Sequence, residues 1–241
     1  MSCSFLESTS LNLNECPGNF IWDGSDNKYQ YKTNKKIHGN VAPISNNITY
    51  TLNSYGYRCP EFNKIDWPNS IITLGCSNTF GVGVDNTETY SNYLQESLNI
   101  PVINLGQGGT DLWYQIYNAK EIMKLNVRGV ILQVPSEERF TVFGENRKTL
   151  SFGSWNIEKY KQIVDIWGSQ HNLKMWHSFG FDYIQKILGN KLLYNFSFSR
   201  TDNPIEKIDF IDQARDNMHP GPRTHQLVAT RIAKELQYEL N

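Results

Sequence analysis

Ser77 stands in Gly75-Cys76-Ser77-Asn78-Thr79-Phe80-Gly81, directly after the apolar run Ile71-Ile72-Thr73-Leu74. Far downstream, Asp216-Asn217-Met218-His219-Pro220-Gly221 opens the last helical pattern. A serine hydroxyl is a poor nucleophile until a base accepts its proton, and the base needs an acceptor that holds it in one tautomer. Asp216 and His219 are close enough in sequence for one turn of backbone to set the carboxylate against imidazole Nδ1. The other ring nitrogen is then left for Ser77. The chemistry on offer is acyl transfer, with Ser77, Asp216 and His219 as candidate catalytic residues.

A tetrahedral oxyanion needs donors fixed in advance. The N–H of Ser77, at a helix start, is one candidate. A glycine of Gly106-Gln107-Gly108-Gly109 is another, because a residue without Cβ lets the backbone approach a substrate. Four other histidines compete for the base role: His38, His171, His177 and His225. None has an acid at comparable spacing, and only His177 is kept as a candidate pocket residue. Two nucleotide motifs are set aside. Gly75 to Gly81 lacks the Walker spacing and its Lys-Ser/Thr ending, and Gly106–Gly109 is not a full dinucleotide fingerprint. Cys3, Cys16, Cys59 and Cys76 have neither C-x-x-C spacing nor a nearby histidine, so no zinc site is expected.

These residues need elements to hold them. Ser70–Leu74 is a buried strand by its β-branched run and glycine stop. A helix over Thr87–Leu98 follows, with Asp85 and Glu88 at capping-box spacing. Pro101–Leu105 is a second strand, Asp111–Leu125 a helix and Gly129–Val134 a third strand. Pro135–Trp155 reads as a long polar loop, of a length that often carries function. Asn156–Trp167 reads as a helix, Leu173–His177 as a fourth strand, Phe181–Leu188 as a short helix, Ile208–Ile211 as a last strand and Thr224–Leu240 as the final helix. Strands alternating with helices predict an α/β chain with a parallel sheet and helices on both faces. Ligands in such folds sit beyond the carboxyl ends of the strands, where Ser77 and the Gly106–Gly109 turn both fall. Residues 1–65 lack sustained periodicity and read as an irregular N-terminal extension packed on a main domain of residues 66–241. A short strand is expected over Asn47–Leu52.

The chain has 241 residues, enough for a substantial core, and its 39% hydrophobic content argues against disorder. With 23 Lys+Arg against 24 Asp+Glu and no basic block, neither nucleic-acid nor acidic-membrane binding is expected. No signal peptide or bilayer-spanning segment is read, which predicts a cytoplasmic location or release without a signal peptide. Abundant Asn, Tyr, Ile and Lys fit AT-rich coding, a viral or marine microbial source among them.

These motifs resemble the SGNH (GDSL-type) hydrolase family of esterases, lipases, thioesterases and carbohydrate deacetylases. Gly75-Cys76-Ser77-Asn78-Thr79-Phe80-Gly81-Val82-Gly83-Val84 is similar to the family's first block and its tail. That tail is found in one large subgroup of the family, which Thr89-Tyr90, Leu94 and the upstream Asn53-Ser54-Tyr55-Gly56-Tyr57-Arg58 also resemble. Asn104-Leu105-Gly106-Gln107-Gly108-Gly109 resembles the second block, and Asp216, His219 and Pro220 resemble the last. The likeness runs from about residue 50 to the end. It implies a three-layer α/β/α sandwich with a flavodoxin-like sheet, an oxyanion hole from Ser77 and Gly109, and no metal or organic cofactor.

There are two departures. Cys76 stands where the family has Asp, and Pro135-Ser136-Glu137-Glu138 stands where it has Gly-x-Asn-Asp. A carboxylate cannot donate to an oxyanion unless protonated, so the third donor is missing and Arg139 is a candidate replacement. Asn78, Gly108, Glu137 and Arg139 are candidate pocket residues, and Trp113, Trp155 and Phe140 are candidates to line a sugar cleft. The resemblance implies a serine esterase acting on a small-molecule or carbohydrate ester, with an O-acetyl sugar as first guess. An O-acyltransferase on the same residues, a non-catalytic protein on the same scaffold and a Cys76 nucleophile remain alternatives. The sequence does not give the oligomeric state.

Overall fold

The computed structural model describes residues 5–6, 16–38, 48–145, 149–155, 158–199 and 202–240. A five-stranded parallel sheet forms its centre. Its strands are β3 (Ile71–Leu74), β4 (Val102–Asn104), β5 (Gly129–Gln133), β8 (Leu192–Ser197) and β9 (Glu206–Lys207), side by side in the order β4-β3-β5-β8-β9. Each neighbouring pair is parallel. Counted from Ile71 the order is 2-1-3-4-5, the flavodoxin-like arrangement, whose topological switch point lies between β3 and β5.

Adjacent β3 residues serve opposite faces. Ile72 and Leu74 pack with Leu112, Ile116, Phe181 and Ile184 of α4 (Leu112–Ile122) and α6 (Gln170–Leu188). Ile71 packs with Tyr90, Leu94, Val228 and Ile232 of α3 (Tyr90–Leu98) and α7 (Pro222–Leu240). A strand covered on both sides loses polar/apolar alternation, which is why these strands read as continuous apolar runs. The result is the expected three-layer α/β/α sandwich.

Several element boundaries differ from expectation. Leu173–His177 is not a strand but lies inside α6, which also absorbs the helix expected at Phe181–Leu188. His177, Gly180, Phe181, Ile184 and Leu188 are its buried stripe, a helical period. Gly180 obscures that period in sequence and has a packing reason. A Cβ there would stand 3.3 Å from Leu112 and 3.4 Å from Ile116, so its absence lets α4 and α6 approach. The fourth parallel strand is instead β8, and the last is β9, ending just before the expected Ile208–Ile211. The Pro135–Trp155 segment is not all loop: β6 (Phe140–Phe143) and β7 (Thr149–Phe152) form an antiparallel hairpin. Of the expected Asn156–Trp167 helix, the described residues form a 3₁₀ turn at Glu158–Tyr160 and α5 (Lys161–Trp167), residues 156–157 lying outside the described residues. The Asp85/Glu88 capping box is present, but it caps a 3₁₀ turn, and Thr89 caps α3.

The N-terminal region is less irregular than its sequence suggests. β1 (Gly18–Phe20) pairs antiparallel with β2 (Tyr50–Leu52), and α1 (Lys28–His38) lies between them. The strand expected at Asn47–Leu52 is thus β2, with Asn47 outside the described residues. No helix among the described residues is long and apolar enough to cross a membrane.

Candidate active site

β3 ends at the switch point, and the chain turns through Gly75 and Cys76 into the one-turn helix α2 (Ser77–Phe80). Gln133, at the end of β5, ties that turn across the switch. Its Oε1 accepts from the Cys76 N–H (3.1 Å), the Cys76 thiol (3.2 Å) and the Thr79 hydroxyl (3.3 Å). A Cβ on Gly75 would come within 2.8 Å of the same oxygen, so only glycine fits beneath this cluster. Cys76 is therefore a buried turn residue, its thiol engaged by Gln133. Ser77 takes the first helical position, where backbone N–H groups precede the intrahelical ladder.

Asp216 and His219 come from a tight loop before α7. Ala214 N–H donates to His219 O (2.9 Å) and Asn217 N–H to Ala214 O (2.8 Å). Asn217 adopts φ of 59°, a left-handed conformation that Asn tolerates better than most residues. Asp212 anchors the far side by accepting from the Arg223 and Thr224 N–H groups at 2.9 and 2.7 Å.

The two loops bring the three candidate catalytic residues together. His219 Nε2 lies 2.8 Å from Ser77 Oγ, and Nδ1 lies 2.5 Å from Asp216 Oδ2. A carboxylate only accepts, so Nδ1 carries the proton and Nε2 accepts from the serine hydroxyl. Burial works against charge on Asp216. Hydrogen bonds from His219, Ser25 and the Met218 N–H, with the nearby imidazole charge, outweigh burial and hold its pKa below the ordinary carboxylate value.

The glycine tail after Ser77 serves this geometry. Gly83 has φ of 79°, and a Cβ there would meet Ala214 Cβ at 2.7 Å and Arg215 N at 3.0 Å. Arg215 N–H donates to Gly83 O at 3.0 Å, so the Gly81–Val84 turn rests on the residues that lead into Asp216. Buried Arg58, from the Asn53–Arg58 motif, holds the same turn by donating to Gly81 O (2.7 Å) and Val84 O (2.9 Å). Burial lowers the Arg58 pKa to about 10.

Gly109 has φ of 71°, and a Cβ there would stand 3.3 Å from Trp155. Trp155 is half exposed and carries the Arg139 guanidinium over its ring at 5.4 Å. Arg139 Nη1 is buried with no hydrogen-bond partner among the described residues. Asn78, Gly108 and Glu137 are partly buried, on α2, beside Gly109 and after β5 respectively. Of the three aromatics considered for a sugar cleft, only Trp155 stands beside Gly109. Trp113 packs edge-on against Trp176 of α6, and Phe140 stacks on Phe152 within the hairpin.

Among the described residues, no other histidine is hydrogen-bonded to Ser77. His225 is a core imidazole whose Nδ1 accepts from the Tyr90 N–H at 3.1 Å. His177 is buried and bridges Pro135 O (3.1 Å) and Asn203 (3.1 Å), so it secures the start of the loop after β5. His171 lies near the start of α6 and His38 ends α1.

Sequence reasoning missed the N-terminal contribution. Ser25 Oγ lies 2.6 Å from Asp216 Oδ2, and Asp26 forms a buried ion pair with Arg215. Asp23 is buried nearby, and burial pushes its carboxyl up to about 6. These residues sit in a segment without periodicity, and no local spacing links them to positions near 216.

A serine, an imidazole and a carboxylate thus stand in hydrogen-bonded series at the carboxyl edge of a parallel α/β sheet. No protein-family model and no curated protein matches the chain. Among solved structures, it is similar to a member of the lipolytic protein G-D-S-L family from Veillonella parvula. Identity is 15% and TM-score 0.41, over 68% of this chain and 96% of that one. It is also similar to a carbohydrate esterase family 2 enzyme with a carbohydrate binding domain from Corynascus thermopiles (Myceliophthora fergusii). There identity is 14% and TM-score 0.36, over 70% of this chain and 67% of that one.

Proposed function

We propose that the chain is a serine esterase of the SGNH type, acting on a small acyl ester through Ser77, His219 and Asp216. The observation that carries this reading is the continuous contact from Ser77 Oγ through His219 to Asp216, 2.8 and 2.5 Å. Ser77 attacks the acyl carbonyl while His219 Nε2 takes its proton, and Asp216 stabilises the imidazolium. His219 then protonates the leaving alcohol, and water, deprotonated by the same imidazole, releases the acyl group from Ser77.

The Ser77 and Gly109 N–H groups are the proposed oxyanion donors. Arg139 is the candidate for the third, supported by its unpartnered buried Nη1 and its position over Trp155 beside Gly109. Asn78, Gly108 and Glu137 complete the proposed pocket. An O-acylated carbohydrate is the first substrate class to test, because half-exposed Trp155 places an aromatic side chain beside Gly109, where its edge can contact a sugar ring. The Cys76 alternative is disfavoured, since its thiol bonds to Gln133 while His219 faces Ser77.

The test is burst and steady-state hydrolysis of p-nitrophenyl acetate by wild type, Ser77→Ala and Cys76→Ala. The expected result is a loss of about four or more orders of magnitude in Ser77→Ala. Turnover should persist in Cys76→Ala. Activity that survives Ser77→Ala but not Cys76→Ala overturns the proposal.

A further inference from the structure

Asp216 receives a hydrogen bond from a residue 191 positions away. Ser25, in the loop between β1 and α1, donates its hydroxyl to Oδ2 at 2.6 Å, the same oxygen that faces His219 Nδ1 at 2.5 Å. Ser25 Oγ is itself 3.5 Å from Nδ1. The other carboxylate oxygen accepts from the N–H groups of Met218 (3.1 Å) and His219 (3.2 Å). Each oxygen therefore has two donors, which fixes the carboxylate plane.

The neighbouring residues repeat the contact one position along each segment. Asp26 follows Ser25 and Arg215 precedes Asp216. Arg215 donates to both Asp26 oxygens, from Nε at 2.8 Å and from Nη2 at 2.5 Å. The rest of the segment closes around the guanidinium. Ile21 O accepts from Nη2 at 2.7 Å, and the Trp22 ring lies 4.4 Å from the guanidinium carbon. The Tyr50 hydroxyl links Asp26 to Gly83, donating to Asp26 Oδ2 at 2.5 Å and accepting from the Gly83 N–H at 2.8 Å.

We infer that Ser25 is a positioning residue for the Asp216–His219 pair and that the β1–α1 segment is part of the reaction site. This rests on the serine-esterase reading. A hydroxyl donating to a carboxylate forms a charge-assisted bond, stronger than a neutral one. Placed on Oδ2, it holds that oxygen toward Nδ1 and lowers its basicity, so the shared proton stays on the imidazole as positive charge develops there. Ser25 does not touch the acyl group; it acts through Asp216.

The experiment compares wild type, Ser25→Ala and Ser25→Thr by ester turnover and by the proton NMR resonance of His219 Nδ1. Ser25→Ala is expected to lower kcat about tenfold with KM within about twofold, and to displace the Nδ1 proton resonance. Ser25→Thr, which keeps the hydroxyl, is expected to return both toward wild type. A Ser25→Ala variant with unchanged kcat and an unmoved Nδ1 proton overturns the inference. So does a fall in kcat with no change at Nδ1, which would put the effect of Ser25 elsewhere. If the wild type turns over no ester, the esterase reading fails, and the Nδ1 resonance in the two variants still decides whether Ser25 holds the pair.

Discussion

A single side chain, Gln133, explains how a cysteine can stand beside the proposed nucleophile without competing with it. Its carbonyl oxygen gathers the Cys76 N–H, the Cys76 thiol and the Thr79 hydroxyl, leaving Ser77 to face His219. Arg139 is the residue on which proposed oxyanion stabilisation most depends beyond the backbone. Arg139→Ala is expected to lower kcat by on the order of 100-fold with little change in KM, the pattern of a transition-state donor. Steady-state kinetics on p-nitrophenyl acetate check it, and an increase in KM alone would make Arg139 a binding residue. That Ser77, Asp216 and His219 meet was legible in sequence because the first follows a strand-like apolar run and the other two share one turn. Gln133 and Ser25 were not. Their partners are far away in sequence, and glutamine and serine carry no pattern of their own.

The elements show where local patterns mislead. Leu173–His177 looks like a strand because Leu, Met and His alternate with Lys and Trp, yet its buried residues continue through Gly180 and Phe181 at helical period. β8 escaped notice because its first residues are only half buried, as befits a strand near the sheet's edge. Gly83 is the position where one element depends most on another. Gly83→Ala puts a methyl against Ala214 and the Arg215 backbone at a positive φ. It is expected to cost about 1–3 kcal/mol and to reduce turnover through Asp216, as checked by thermal unfolding and kinetics on one preparation. The Asp26–Arg215 pair binds the N-terminal segment to the same loop with side chains 0% and 2% exposed. Removing one partner strands a buried charge, so Arg215→Met is expected to destabilise by about 3–5 kcal/mol in urea unfolding.

Across the whole molecule, two buried groups set opposing pH responses. Burial lowers the His225 pKa to about 3. As pH falls below its ordinary 6.5, the unfolded chain gains a proton that the folded chain refuses, and stability drops down to about pH 3. Asp23 acts in reverse. Its carboxyl is raised from 3.8 to about 6, so the folded state keeps the proton longer and loses stability as pH rises through that interval. Asp23→Asn is therefore expected to be more stable than wild type above pH 6, by up to about 3 kcal/mol, and to lose that advantage below pH 4. Urea midpoints across this range check the sign. A parallel sheet with two covered faces was legible from apolar runs and glycine stops, and its flavodoxin-like order only through the family resemblance, whereas these buried titratable groups were not legible, since burial is a property of the assembled fold. The proposed activation of Ser77 by His219 is open to chemical labelling. Its most direct test is peptide mass mapping after treating the full chain with a fluorophosphonate. A single adduct on Ser77, absent in Ser77→Ala and strongly slowed in His219→Ala, is the expected result. No adduct on the wild type, or an adduct at another residue, would contradict it.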